Sequence, residues 1–200
     1  LPEERQTLLF SATIPQEIAS LANRLLKNPA RISITPSAKP VEKIEQKVYL
    51  VEKAEKRELL TEVIRQSNVH QTLVFTRTKH GADRVARDLN RAGIKSKAIH
   101  GDKSQNQRQT ALADFKACKI AVLVATDIAA RGIDITELPL VINFELPNIP
   151  ETYVHRIGRT ARAGADGTAI SFCAPEEKEY LAGIEKLNRR QIPVVSGHPW

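Results

Sequence analysis

The sequence is poor in cysteine, methionine, aromatic residues and long apolar runs. Its 200 residues include two cysteines, no methionine and only 4% aromatic residues. The longest apolar runs, such as residues 120–125, fall far short of the roughly 20 residues that a helix needs to span a bilayer. No basic and apolar signal peptide opens the chain. Cys118 and Cys173 lack metal-ligand spacing, so we expect a reduced, cytoplasmic protein without a cysteine-based metal site.

Two patterns of nucleotide-hydrolysing proteins are also missing. No glycine-rich loop of the form Gly-x-x-x-x-Gly-Lys-Ser/Thr occurs, and no acidic pair follows a strand to hold Mg²⁺. The chain therefore contains half of a nucleotide site. Because it has no methionine and begins at Leu1, we expect it to be a piece of a longer protein.

The charge balance favours a polyanionic partner. Thirty Lys and Arg residues against 23 Asp and Glu residues give a net charge of +7, which is most simply explained by nucleic acid binding. Tyr153 is the only aromatic residue near the loops discussed below, so there is little to stack on bases. We expect contacts with the sugar-phosphate backbone rather than sequence-specific base reading.

Short runs rich in Val and Ile alternate with amphipathic stretches of helical length. The helical stretches follow Thr78, Ser104 and Pro175. This alternation predicts an α/β fold with a parallel, doubly wound sheet. Residues 44–51 alternate apolar and polar side chains, as an edge strand does. The other predicted strands are residues 72–76, 97–100, 120–126, 141–145 and 168–173.

The first third of the chain differs in pattern from the rest. It predicts a strand at residues 7–12, a helix at 15–26 and a strand at 31–35, which are too few elements to close a core. We interpret residues 1–35 as the C-terminal tail of a preceding domain. Residues 36–43 have the composition of a linker. Residues 44–192 form the main domain, and residues 193–200 begin a C-terminal extension.

The most informative stretch is the decapeptide His155–Gly164. Its three arginines, Arg156, Arg159 and Arg162, recur every third residue and lie roughly on one side of a helix or tight turn. Arginine forks match phosphate oxygens and stay charged at any working pH. The alternative is a solvated basic helix end. For the whole decapeptide we favour phosphate recognition.

A second group of polar residues follows the strand at residues 120–126. Thr126 and Asp127 come first, and Gly132 and Asp134 follow shortly after. Ligands of open α/β sheets bind at the carboxyl ends of the strands. An Asp there accepts from ribose hydroxyls, while a Thr hydroxyl or a Gly amide donates to phosphate. For Thr126 and Asp127 alone, helix capping explains the pattern equally well.

Three further residues occupy the same predicted edge of the sheet. Thr78 follows one strand, Gly101 follows the next, and Arg108 lies on the helix after that. Taken singly, Thr78 is most simply a helix N-cap, and Arg108 could be a solvated surface residue. Together with Thr126 they form a row of hydroxyls, amides and one arginine along one edge. Such a row suits a sugar-phosphate backbone.

The order of these segments resembles that of DEAD-box ATP-dependent RNA helicases. The resemblance covers essentially the whole chain, and its end, with Gly197-His198-Pro199, resembles the bacterial RhlE-type branch. It implies a RecA-like parallel sheet with helices on both faces, the second helicase lobe of the P-loop NTPase-like fold. The matching segments are Ser11-Ala12-Thr13, residues 73–78, His100-Gly101-Asp102 with Gln105 and Arg108, residues 125–135, and His155–Gly164.

The resemblance also implies a role for each matching residue. Arg159 and Arg162 would meet the ATP γ-phosphate as arginine fingers, and His155 would bridge to the acidic box of the missing lobe. That lobe would hold Mg²⁺. Ala161 and Ala163 replace usual glycines, with no expected loss of function. The remaining implied groups are Gly132 and Asp134 on ATP, Thr78, Gly101, Arg108 and Thr126 on the RNA backbone, and Ser11, Ala12 and Thr13 in coupling ATP turnover to strand separation.

Three functional hypotheses follow. The first is the C-terminal lobe of an ATP-dependent helicase that separates short RNA duplexes, with the isolated chain inactive as an ATPase. The second is a non-catalytic RNA-binding or protein-docking module, against which the arginines and Asp134 argue. The third is a DNA helicase of the same superfamily, less consistent with the His-Gly-Asp and His-Arg-Ile-Gly-Arg segments.

Overall fold

The computed structural model describes residues 2, 4–11, 14, 16–33, 44–130, 133, 135, 137–160 and 167–199. The chain divides into two compact units, Leu1–Ser37 and Ala38–Trp200. Within the described ranges, no helix is both long enough and apolar enough to cross a membrane. The predicted boundaries at residues 35, 43 and 192 stay predictions.

The described residues of the first unit include one helix, α1 (Gln16–Leu25), close to the predicted span. Glu17 in its first turn and Arg24 in its last turn complement the helix dipole. The predicted strands at residues 7–12 and 31–35 do not form where the structure describes them, at 7–11 and 31–33. A strand needs a neighbouring strand to take its backbone hydrogen bonds, and this unit has no described strand to supply them.

The second unit is built on a six-stranded sheet in which every pair is parallel. The strand order is β1-β6-β5-β2-β4-β3, as successive crossover connections produce. The predicted α/β class and parallel sheet are therefore confirmed. The strands are β1 (Ile44–Leu50), β2 (Thr72–Thr76), β3 (Ser96–Ile99), β4 (Val122–Thr126), β5 (Leu140–Asn143) and β6 (Gly167–Cys173).

Helices connect the strands, and two of them begin at side-chain caps. The Thr78 hydroxyl accepts from the Gly81 amide, and Ser104 forms a capping box with Gln107. Both starts agree with the sequence prediction. The helices are α2 (Lys56–Gln66), α3 (Lys79–Arg91), α4 (Gln105–Lys116), α5 (Asp127–Ala130), α6 (Pro150–Ile157) and α7 (Lys178–Asn188), with a 3₁₀ turn at Pro175–Glu177.

The core lies on both faces of the sheet because successive strand side chains point in opposite directions. On β2, Val74 packs with α2 and α3, whereas Leu73 and Phe75 pack with Phe115 of α4. A third cluster joins Val48 of β1 to α6 and α7. The helices therefore cover both faces, as predicted.

Strand β1 forms an edge of the sheet, as its alternating pattern predicts. Its outer side is partly paired with the predicted C-terminal extension. The Val48 amide donates to the Pro193 carbonyl at 2.9 Å, and the Val195 amide donates to the Val48 carbonyl at 2.8 Å. The His198 ring lies 5.2 Å from that of Tyr49. Residues 193–198 therefore pack on the main domain.

Candidate functional site

The carboxyl ends of the parallel strands meet at one edge of the sheet, which carries Thr78, Gly101 and Thr126. Thr78 is exposed, and its hydroxyl accepts from the Gly81 amide at 3.0 Å. A Cβ on Gly81 would come within 2.8 Å of that oxygen, so a larger residue at position 81 would displace the cap. The N-cap interpretation of Thr78 is thus confirmed, and its exposure leaves it accessible to a ligand.

The loop after β3 is exposed at Gly101 and Asp102. Lys79, at the start of α3, donates to Asp102 at 2.5 Å. This contact lowers the pKa of the Asp102 carboxyl, chiefly through the Lys79 hydrogen bond. The loop is therefore tied to the first turn of α3, beside Thr78.

A second contact, absent from the sequence prediction, fixes the same loop from below. Buried His100 accepts the Asp102 amide at Nδ1, 3.3 Å away, and its Nε2 lies 3.0 Å from Asp83 of α3. Lys103 lies 2.9 Å from the other Asp83 oxygen. Burial raises the pKa of Asp83, but the bonds from Lys103 and His100 outweigh it and hold the pKa below its ordinary value.

Arg108 lies one turn into α4, near the Gly101 loop. Its Nη1 donates to Gln105 at 3.3 Å, and its Nε is buried without a hydrogen-bond partner among the described residues. It forms no ion pair with a described carboxylate. The Arg108 guanidinium thus has N–H donors that are not used by described residues.

Thr126 is the last residue of β4 and is only 7% exposed. Helix α5 begins at the next residue, Asp127. Little of the Thr126 side chain is available to a ligand, and its contact with RNA stays a prediction.

The structure corrects the interpretation of Arg156. Its side chain is 1% exposed, and both Asp127 oxygens accept from it, at 2.6 and 2.8 Å. It also donates to the Asn143 side chain and to the Glu145 carbonyl, and its guanidinium lies 5.1 Å from the centre of the Phe75 ring. The prediction of phosphate recognition is therefore wrong for this arginine, which ties α6 to α5 and β5. Asp127 is engaged in the same pair rather than with a ribose.

Arg159 lies two residues beyond the end of α6 and is half-buried. Its Nη1 donates to the Ile133 carbonyl at 3.0 Å and its Nη2 to the Ala130 carbonyl at 3.2 Å. Half-buried Arg159 lines one shallow pocket together with exposed His155 and with Thr152. The Ile133 and Ala130 carbonyls thus fix the direction of this guanidinium.

Five of the predicted site residues lie outside the described part of the chain. Ser11 is described and exposed, in the first unit. The structure therefore brings together Thr78, Gly101 and Arg108 at one edge, and His155 with Arg159 in another place. The site residues outside the described ranges are Ala12, Thr13, Gly132, Asp134 and Arg162. Ala161 and Ala163 also lie outside these ranges.

A buried ion pair beside the strand ends was missed by the sequence analysis. Lys56 and Glu177 are each 2% exposed and are hydrogen-bonded to each other. Lys56 also donates to the carbonyls of Phe144 and Phe172, at 2.9 and 3.0 Å. Burial lowers the pKa of Lys56, and Glu177 opposes that shift. The pair joins α2 to the ends of β5 and β6. No sequence pattern near Lys56 or Glu177 predicts it.

In the part of the chain that the structure describes, no group of three or more His, Cys, Asp or Glu residues could hold a metal ion.

Comparison with known sequences gives one family and a consistent set of relatives. The family described as "Helicase conserved C-terminal domain" matches residues 55–164. The DEAD-box ATP-dependent RNA helicase CshA of Bacillus subtilis is 43% identical over 192 residues, 96% of this chain and 39% of that protein. CshA of Listeria monocytogenes is 41% identical over 200 residues, 100% of this chain and 38% of that protein. The chain spans about two fifths of these relatives, and the RhlE-type branch stays a prediction.

Solved structures that resemble this chain include DEAD-box proteins. Saccharomyces cerevisiae Dbp5 bound to RNA and ADP BeF3 superposes with a TM-score of 0.85 at 31% identity, over 98% of this chain and 52% of that one. A DEAD box protein from Methanococcus jannaschii gives 0.74 at 41% identity, over 94% and 50%. This chain belongs to the helicase conserved C-terminal domain family and is a C-terminal lobe of the DEAD-box RNA helicase type.

Proposed function

We propose that this chain is the second lobe of a longer ATP-dependent RNA helicase that separates short RNA duplexes, and that it supplies part of the ATP site and part of the RNA site. The observation that carries the proposal is the separation of two arginine environments three residues apart. Arg156 is buried in an ion pair, whereas half-buried Arg159 is oriented by carbonyl oxygens next to exposed His155. Arg159 is partly exposed and so is accessible to an incoming anion, whereas Arg156 is not.

The RNA site of this lobe is the strand-end edge. Exposed Thr78 and Gly101 would donate to or pack against the sugar-phosphate backbone, and Arg108 would add a charge-assisted contact. Thr126 would contribute from the end of β4. The Lys79–Asp102 and His100–Asp83 contacts support this assignment, because they hold the Gly101 loop in one position beside Thr78.

The ATP site of this lobe would consist of Gly132, Asp134, Arg159 and Arg162. Arg159 suits a phosphate group because its guanidinium is charged, partly exposed and fixed in direction by two hydrogen bonds. ATP would supply the γ-phosphate, with Mg²⁺ held by the N-terminal RecA-like lobe. An arginine finger accelerates phosphoryl transfer by about 10³–10⁵-fold.

The N-terminal RecA-like lobe of the same protein is the proposed partner. Residues 1–35 would be its C-terminal tail, residues 36–43 the linker, and Ser11, Ala12 and Thr13 the segment that couples ATP turnover to strand separation. His155, exposed on α6, would contact the acidic box of that lobe. We place the protein in the cytoplasm, without a membrane partner.

The test is the ATPase activity of the complete protein with single-stranded RNA or with DNA of the same sequence. We expect RNA to stimulate ATP turnover strongly and DNA to stimulate it weakly. A variant that ends before residue 44, and so lacks this lobe, should lose turnover. Equal stimulation by DNA would contradict the assignment to RNA. Undiminished turnover without this lobe would contradict its part in the ATP site.

A further inference from the structure

Helix α3 carries a row of four basic side chains that the strand-end site does not use. His80, Arg84, Arg87 and Arg91 are all exposed. At about 100° per residue they lie within a sector of about 60°, and they extend over about 16 Å of the helix. We call these four residues the α3 basic stripe.

The stripe is on the outermost line of the helix. The residues on the opposite side, Ala82, Val85, Ala86 and Leu89, are buried in the core. The stripe therefore projects into solvent along its whole length, and its position is fixed by the packing of the opposite face.

The stripe is only partly neutralised. Two acidic residues of α3 lie beside it: Asp88 is paired with Arg57 of α2 at 3.1 Å and with Arg91 at 3.5 Å, and Asp83 is engaged by His100 and Lys103. Arg84 and Arg87 form no hydrogen bond or ion pair with any residue in the described ranges. Two arginine forks thus face solvent with their full charge.

A cleft of about 430 Å³ adjoins the N-terminal end of the stripe, between α2 and α3. Lys53, Arg57, His80 and Arg84 line it together with acidic residues. Those carboxylates have cationic or amide partners: Glu177 pairs with Lys56, Glu145 accepts the Arg77 amide, and Glu176 lies 3.8 Å from Lys53. Of the stripe, His80 and Arg84 therefore lie beside this cleft.

The stripe is continuous with the proposed RNA site. It begins two residues after Thr78, at the carboxyl edge of the sheet. Because α3 connects two parallel strands, it runs from this edge back toward the opposite edge. A polyanion held at Thr78 can therefore continue along α3 without leaving a positively charged surface.

We propose that the α3 basic stripe binds the phosphate backbone of an RNA segment adjoining the one held at the strand ends. Arginine forks pair with phosphate oxygens in two-point contacts, and the stripe contains no Phe, Tyr or Trp to stack on bases. The contact is therefore independent of base sequence. This inference rests on the proposed function, since it extends an RNA already bound at Thr78 and Arg108.

The test is the affinity of the 200-residue chain for two RNAs at several salt concentrations. One is a short single strand confined to the strand ends, and the other is a hairpin with a single-stranded extension. We expect the double variant Arg84→Ala/Arg87→Ala to bind the hairpin about tenfold more weakly, with a salt slope lower by one to two, and to bind the short strand as before. Arg84→Lys/Arg87→Lys should keep the salt slope.

The control is Lys186→Ala/Arg190→Ala, which removes two exposed charges from the region of α7, on the other face of the sheet. It should leave hairpin affinity unchanged; an equal loss would overturn the stripe by showing a general charge effect. Unchanged hairpin binding by the Arg84/Arg87 variant would also overturn it, and loss of binding to polyglutamate instead would assign the surface to acidic protein segments. Arg108→Ala separates the two proposals, because it should weaken binding to both RNAs if the strand-end site is correct.

Discussion

The Asp127 carboxylate receives two parallel hydrogen bonds from Arg156, from Nε at 2.6 Å and from Nη2 at 2.8 Å. This pair joins α6 to α5. The Ala130 carbonyl at the end of α5 in turn accepts from Arg159. Buried Arg156 therefore fixes α5 against α6. The end of α5 in turn orients the partly exposed Arg159, which would bind the phosphate.

Breaking this pair should destabilise the domain. Arg156→Ala leaves Asp127 without its partner, and removing one member of a buried pair costs up to about 3–5 kcal/mol. Because Asp127 keeps some exposure, we expect about 3 kcal/mol, measured as the free energy of unfolding in urea. Arg190→Ala, at an exposed position, serves as the control and should change it by less than about 0.5 kcal/mol. A similar small change for Arg156→Ala would contradict the structural role.

Asp83 should support the Gly101 loop in a pH-dependent manner. Its folded-state pKa lies below its ordinary value, so its contribution to stability is present above about pH 4 and is lost as the pH falls through the folded-state pKa. We expect Asp83→Asn to lower the free energy of unfolding at pH 7 by about 1 kcal/mol or less, since the carboxylate is partly exposed. The difference between wild type and variant should shrink in acid. A difference that stays constant as the pH falls from 7 into the acid range would contradict the hydrogen-bond assignment.

The same variant should loosen the Gly101 loop. RNA affinity should fall while the salt slope stays unchanged, because Asp83 contacts no phosphate in this account. Arg108→Ala provides the comparison, since its slope should fall by about one.

The two cysteines should differ sharply in reactivity. Cys118 is exposed, whereas Cys173 is buried, and burial raises the pKa of its thiol to about 11. At pH 8 the Cys173 thiolate is a minor form, about one molecule in a thousand. A thiol reagent should therefore label one cysteine rapidly in the native chain and both in denaturant, as mass spectrometry of the labelled peptides would show. Rapid native labelling of Cys173 would contradict its burial.

The local parts of the fold could be predicted from the sequence. Strand β2 was predicted with its observed bounds, Thr72–Thr76. The helix start at Thr78 was predicted from its capping side chain, and the helix after Ser104 from its apolar periodicity. These features depend on neighbouring residues alone. The shared strand-end edge followed from parallel strands and short connections.

The missed features depend on residues distant in sequence. Asp127 and Arg156 are 29 positions apart, and nothing near either one shows that they pair. Helix α2 was not predicted. Its first residue, Lys56, can be buried because it pairs with Glu177, and this partner lies 121 positions away in the sequence. The strands predicted at residues 7–12 and 31–35 do not form where the structure describes them, because no described strand of that unit is available to pair with them.

The most direct test of the account is the turnover of ATP by the complete protein carrying Arg159→Ala, with saturating RNA. An arginine finger contributes about 10³–10⁵ in rate, so we expect turnover to fall by orders of magnitude while RNA affinity and the free energy of unfolding stay close to wild type. Arg190→Ala should leave turnover unchanged. Wild-type turnover in the Arg159 variant would contradict the central claim that this lobe supplies a phosphate-binding arginine to the ATP site.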